Sequence, residues 1–172
     1  LIPAALSIIY LITNNNIFVI GYSAALAAAF SDTIASGGGM LSKRAFDPFK
    51  MRRTEVGLSG GMSVLGTASS LIAPFAFLTI SLCFGELNIN TWLIASISAF
   101  FGSVIDSAMG SLLQAKFECA VCKKTTEKEI HCGEKTKFIS GVKWINNDVV
   151  NFVSCALAGA FAIAAVLFLG LS

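Results

Sequence analysis

Four stretches of this sequence stay apolar for about as long as a helix needs to cross the hydrocarbon core of a bilayer, roughly 20 residues. They run over Ile17–Ser36, Met62–Phe84, Thr91–Ala115 and Val149–Leu171. A water-soluble core does not need runs of that length. Hydrocarbon holds no water to pair backbone N–H and C=O groups, so an open sheet is excluded and each segment must satisfy its own backbone as a helix. Composition agrees: 55% of the 172 residues are hydrophobic and 13% are charged, against about a quarter charged in a soluble domain. The expected fold class is all-α, a polytopic transmembrane helical bundle of about four full spans. Residues 1–12 (LIPAALSIIYLI) add a partial N-terminal helix. The chain opens there without a methionine, a basic n-region or a small-residue cleavage site. It therefore reads as starting mid-protein rather than at a secretory signal.

Small residues pervade the runs, among them Ala24, Ala25, Ala27–Ala29, Gly66, Ser69, Ser70, Gly102, Gly110 and Gly159. Such residues let helices approach closely in lipid. Residues 1–172 are read as a single transmembrane domain, with homo-oligomerisation left open.

The net charge of +2 is too small for a nucleic-acid binder; the placement of charge says more. The loop at about 37–61 holds Lys43, Arg44, Lys50, Arg52 and Arg53. The loop at about 116–147 holds Lys116, Lys123, Lys124, Lys128, Lys135, Lys137 and Lys143, which completes the 12 basic residues. The turn between the second and third long segments, 85–90, has none and carries Glu86. A two-helix hairpin separates the basic loops, so they belong on one side, and the positive-inside rule puts that side in the cytoplasm.

Three acids lie within or beside the apolar runs: Asp32, Asp106 and Asp148. A carboxylate inside a membrane helix costs roughly 2.5–3.5 kcal/mol even on insertion scales, so it marks a functional site by default. All three fall toward the basic-loop side, with Asp106 about two and a half turns inside its helix. Gly102, Asp106, Gly110 and Gln114 recur every four residues, on one helix face. Ser31, Asp32, Thr33 and Ser36 add oxygen ligands, and Asn146, Asn147, Asp148 and Asn151 form a polar helix start. Asp148 or Asn147 would serve equally as a plain N-cap.

Carboxylates with amide and hydroxyl oxygens suit Mg2+, which is commonly held by one or two carboxylates together with substrate phosphates. Loop cations, Lys43 and Arg53 among them, would neutralise phosphate oxygens, although the positive-inside rule explains their charge without a ligand. The stretch Ser59-Gly60-Gly61-Met62-Ser63, followed by Gly66 and Thr67, offers backbone N–H groups to an anion at a helix start. Gly37–Gly39 reads as a turn, a helix end or a second phosphate-approaching loop.

Of the five cysteines, Cys83 and Cys155 lie in apolar runs, where a thiol behaves as a small hydrophobe. Cys119, Cys122, His131 and Cys132 are zinc-type ligands. The adjacent His-Cys pair is an obstacle, because neighbouring residues rarely both reach one tetrahedral metal. A zinc ion there would staple the loop rather than catalyse.

Together these motifs resemble the integral membrane prenyl-phosphate kinases typified by phytyl-phosphate kinase of vitamin E synthesis. The pattern S-D-T-x-x-S-E-I-G is matched by Ser31, Asp32, Thr33, Ser36 and Gly39, and G-G-x-S-x-x-G-T by Gly60, Gly61, Ser63, Gly66 and Thr67. G-x-x-x-[DE]-S-x-x-G-x-x-x-Q is matched by Gly102, Asp106, Ser107, Gly110 and Gln114. W-x-N-N-D-x-V-N is matched by Trp144, Asn146, Asn147, Asp148, Val150 and Asn151. Two departures matter. Gly37-Gly38 stands where the family has Glu-Ile, and the family's usual apolar segments before the first motif are missing. The Cys-rich insertion is also absent from the plant-type members.

The resemblance implies transfer of a nucleotide phosphate, CTP favoured, to an isoprenoid monophosphate that arrives through the bilayer. Asp32, Asp106 and Asp148 would organise Mg2+ and phosphate as the catalytic acids. Ser31, Ser36, Ser107, Gln114, Asn147 and Asn151 would serve nucleotide or phosphate oxygens. A coupled membrane transporter is the competing reading, but transporter sites tend toward the midplane, whereas these polar residues gather at one face. A non-catalytic prenyl-phosphate-binding relative is a third. The topology predicts that cysteine-accessibility labelling at Lys50 and Lys137 reports the same side of the membrane; labelling from opposite sides would refute it.

Overall fold

The computed structural model describes residues 1–171. Five helices make up the membrane part: α1 (Ile2–Thr13), α2 (Ile17–Met40), α3 (Val64–Cys83), α4 (Ile89–Leu112) and α5 (Asn147–Phe168). The last four are long and apolar enough to cross a membrane, and α1 is a shorter apolar helix. Local chemistry sets their ends. Asn14 closes α1 in the left-handed region at φ 51, a conformation asparagine tolerates better than most residues. Ser63 caps α3, its hydroxyl accepting the Gly66 N–H at 3.0 Å. Asn88 and Thr91 form a reciprocal capping box on α4, and Asn146 caps α5 by accepting from the Val149 N–H.

Helix α2 touches all four other helices. It can do so because its inward face is mostly small (alanine, glycine and serine), with Ala24, Ala27 and Ala28 packed on Ala95 and Ala99 of α4 and Ala158 and Ala162 of α5. At Gly102 a Cβ would sit 2.9 Å from the Ala158 methyl and 3.0 Å from the Ala28 methyl. Only the bare backbone lets these three helices meet there.

Of the readings offered for the glycine run, the helix end holds: Gly37, Gly38 and Gly39 form the last turn of α2, which ends at Met40. At Gly38 a Cβ would fall 2.7 Å from the Ser69 hydroxyl oxygen, so a glycine is what allows α2 to cross α3 this closely. At the same end of the bundle α4 stops at Leu112, which leaves Gln114 beyond the helix rather than on the face of Asp106.

Between the helices the two basic loops fold into small strands. The first carries β1 (Ala45–Asp47) paired antiparallel with β2 (Arg52–Thr54). The second carries β3 (Lys116–Glu118), β4 (Thr125–Thr126), β5 (Ile130–His131), β6 (Glu134–Lys135) and β7 (Lys137–Ser140), arranged as a β4-β3-β7 sheet and a β5-β6 hairpin. The two loops bond to each other and so share one end of the bundle.

Pro74 lies buried inside α3. Its ring nitrogen cannot donate to the carbonyl four residues back, which belongs to Ser70. The Ser31 hydroxyl of α2 donates to that carbonyl at 2.8 Å. Hence Ser31→Ala should lower stability by about 1 kcal/mol, read as a thermal shift in detergent. Adding Pro74→Ala restores the missing N–H and should recover most of the loss; strictly additive losses would refute the pairing.

Candidate functional site

A cavity of about 170 Å3 opens at the basic-loop end of the bundle. Each wall has a separate origin. Helix α2 contributes Asp32 and, one turn on, Ser36; α4 contributes Ser103, Asp106 and Ser107; α3 contributes Gly66, Thr67 and Ser70. Asn147 enters from the first residue of α5, and the segment 56–63 forms the roof.

Asp106 is only 7% exposed, and the Ser154 hydroxyl of α5 donates to its carboxylate at 3.1 Å. Asp32 lines the same cavity. Among the described residues no lysine or arginine lines the cavity. Two carboxylates facing one space repel, and a bound cation relieves that repulsion. The amino ends of α3 and α5 border the same cavity through Ser63, Gly66, Thr67 and Asn147, and a helix start carries partial positive charge. The cavity therefore brings acceptors for a cation and the positive ends of two helices into one space.

The roof is held by close backbone contact and by three side chains. Gly60 has φ +84, and a Cβ on it would come within 2.5 Å of Ser111. This is a position for glycine alone. Glu127, from the second loop, accepts from the Ser59 N–H at 2.7 Å and the Ser59 hydroxyl at 3.0 Å. It also accepts from the Gln114 amide at 2.8 Å. The Lys116 ammonium donates to the Ser59 carbonyl at 2.9 Å. Burial holds this lysine below the ordinary lysine range, as does the nearby Lys50 charge, while Glu127 and Asp47 oppose the shift.

Asp47 is buried beneath the first loop and accepts from the Ser111 hydroxyl at 2.7 Å and from the Phe49 and Lys50 amides at 3.1 Å each. Burial alone would raise its pKa, but these hydrogen bonds and the Lys116 charge outweigh it and hold the carboxyl below the usual range.

Of the residues singled out from sequence, Asp32, Ser36, Gly60, Gly61, Ser63, Thr67, Asp106, Ser107 and Asn147 line the cavity. Ser31 stands just behind it, committed to the Ser70 carbonyl. Gln114 is 2% exposed and bound to Glu127 outside the lining. Asn151 lies one turn further into α5, and Lys43 and Arg53 point to the exterior as exposed side chains. Asp148 occupies the exposed first turn of α5 and does not line the cavity. Sequence reasoning passed over Glu127, Asp47 and Lys116. No sequence signal set them apart, since the loops also hold Glu55, Glu118, Glu129 and Glu134.

Three curated relatives resemble the chain. Protein PGR of Arabidopsis thaliana is 32% identical over 146 residues, covering 76% of this chain and 49% of its own length. The chloroplastic protein VTE6 of the same plant is 23% identical, covering 87% of this chain and 38% of its own length. An uncharacterised membrane protein of Synechocystis is 25% identical, covering 84% of this chain and 46% of its own length. The chain thus spans less than half the length of each of these relatives. No solved structure matches it. The model of the integral membrane protein family DUF92 matches residues 1–168, four long apolar helices and polar motifs included, and the chain belongs to that family.

Proposed function

We propose that the chain is the membrane-embedded core of a kinase that moves a phosphoryl group from a nucleoside triphosphate, CTP favoured, to an isoprenoid monophosphate. The observation that carries this reading is the cavity itself. Asp32 and Asp106 share one small space with the amino ends of α3 and α5 at the basic-loop end of an apolar bundle. A nucleotide would enter from the aqueous side, with the basic loops facing the cytoplasm, while a prenyl tail stays in lipid. The four motifs shared in order with prenyl-phosphate kinases, and membership of the family that includes VTE6, support it.

The donor set fits Mg2+. Asp32 and Asp106 supply hard carboxylate oxygens, with Ser36, Ser107 and Asn147 beside them, and no cation of the chain itself among the lining side chains. The ion would neutralise phosphate oxygens that two carboxylates would otherwise repel. In the transfer, an oxygen of the acceptor monophosphate bonds to the γ-phosphorus while the bond from that phosphorus to the bridging β-oxygen breaks. The products are a nucleoside diphosphate and an isoprenoid diphosphate. The acceptor is already anionic near neutral pH, so the chain's task is positioning. The backbone at the starts of α3 and α5 would meet phosphate oxygens, Ser63 keeps the first turn of α3 in place, and the Glu127–Ser59 clamp holds the roof in position.

Asp106→Asn and Asp32→Asn preserve volume and should leave the fold intact while magnesium-dependent CTP binding falls at least roughly tenfold. The double variant should lose much less than the sum, because groups acting as a unit are not additive. Asp148→Asn, on the exposed turn, should have the smaller effect. Isothermal titration in detergent with and without Mg2+, together with transfer from labelled CTP to a panel of prenyl monophosphates, measures this; unchanged CTP affinity in both cavity variants would refute the reading.

Gly37 marks the missing family acid. A Cβ there meets nothing within 4 Å, so Gly37→Glu should be accommodated and should raise magnesium-dependent turnover. A folded Gly37→Glu protein with unaltered turnover would show that this position is not where activity is limited.

A further inference from the structure

The second loop carries a group of side chains that the cavity does not use. Cys119, Cys122, His131 and Cys132 bring one sulfur or nitrogen atom each to within 4.8 Å of one another, and all three cysteines are free thiols. We propose that these four residues bind one structural zinc ion, and that the ion holds Glu127 against the roof of the cavity. This inference is independent of the kinase reading.

Two of the separations are close to those of a tetrahedral site, and the whole set is near enough to gather on one ion. With zinc bonds of about 2.3 Å to sulfur and 2.0–2.1 Å to nitrogen, tetrahedral geometry separates sulfur from nitrogen by about 3.6 Å and sulfur from sulfur by about 3.8 Å. The Cys122 sulfur lies 3.6 Å from His131 Nδ1 and the Cys132 sulfur 3.3 Å from the same nitrogen. Three thiolates and an imidazole form a soft donor set suited to zinc and not to magnesium. Four protein donors leave no open position, as in structural rather than catalytic sites.

The backbone is turned to deliver them. After Cys119 the chain reverses: the Cys122 N–H points at the Cys119 sulfur at 3.5 Å and the Lys123 N–H at the Cys119 carbonyl at 3.1 Å. Lys123 takes φ 59 to complete the turn. In the β5-β6 hairpin, where His131 pairs with Glu134, Cys132 takes φ 54 and Gly133 φ 80. A positive φ is uncommon outside glycine. Here it swings the Cys132 side chain back onto the same side as its neighbour, which removes the difficulty of an adjacent His-Cys pair.

The ion would close the loop between Cys122 and His131, and Glu127 lies in the middle of that loop. On its far side Glu127 binds Ser59 and Gln114. The metal would therefore fix the loop from one side and the cavity roof, through Glu127, from the other.

The test uses the untagged full chain purified in detergent without chelator. Elemental analysis should find about one zinc per chain, and Cys119→Ser or Cys132→Ser should lower it roughly tenfold. Cys155→Ser, in α5 away from the cluster, should keep it. Replacing zinc with Co2+ should give the visible absorption of a tetrahedral thiolate site. Removing the metal should speed tryptic cleavage at Lys123, Lys124 and Lys128 and raise hydrogen exchange at the Ser59 amide. Wild-type protein that neither carries zinc nor takes up Zn2+ or Co2+ on titration would overturn the site, as would equal zinc in wild type and both loop variants. Unchanged exchange at Ser59 after metal loss would overturn the link to Glu127.

Discussion

Everything in this molecule answers to one constraint: within hydrocarbon a peptide group without a hydrogen-bond partner costs several kcal/mol, and no water can supply one. That forces the four long apolar segments into helices and removes hydrophobic collapse as the force that brings them together. What remains is close contact, interhelical hydrogen bonds and the few polar groups the helices carry. The alanine face of α2 and the bare backbone at Gly102 provide the contact. The Ser31 hydroxyl shows the constraint at a single atom, since it supplies the donor that Pro74 cannot give to Ser70.

The same constraint makes the buried acids informative. Asp106 sits in the wall of a cavity with Asp32 for company and, among the described residues, no lysine or arginine in the lining. Such an arrangement is costly unless something compensates. Ser154 pays part of that cost by donating a hydrogen bond, and the amino ends of α3 and α5 bring partial positive charge to the same space. A cation between carboxylates and phosphates completes the balance, which is why the chemistry of the site points toward phosphate.

The loops are more organised than their composition suggests. They read as basic connectors, yet they fold into short strands and turns whose side chains clamp Ser59 from two directions, Glu127 on its amide and hydroxyl and Lys116 on its carbonyl. A single residue of the roof is thus tied to the second loop at three atoms. Asp47 and Ser111 anchor the first loop to the end of α4 in the same manner. The roof belongs to the first loop and is held in place by the second.

The four spans, the shared end of the basic loops and the acids inside the helices were legible in the sequence, because length, hydropathy and charge act locally and leave a linear trace. The four-residue spacing of Gly102, Asp106 and Gly110 is helical periodicity and needs no tertiary information. Tertiary structure alone decided which polar groups converge. Asp148 follows Asn147 directly, yet one residue of helical rotation puts Asn147 in the cavity and leaves Asp148 on the outside. Gln114 continues the same spacing but falls past the end of α4, where the chain has already turned to meet Val142. Glu127 lies far along the chain from Ser59, in a loop with no periodicity to read, and only the packing of the two loops brings them together. Linear pattern determines what each helix must be; the meeting of distant side chains depends on close packing between helices and loops, which no single segment encodes.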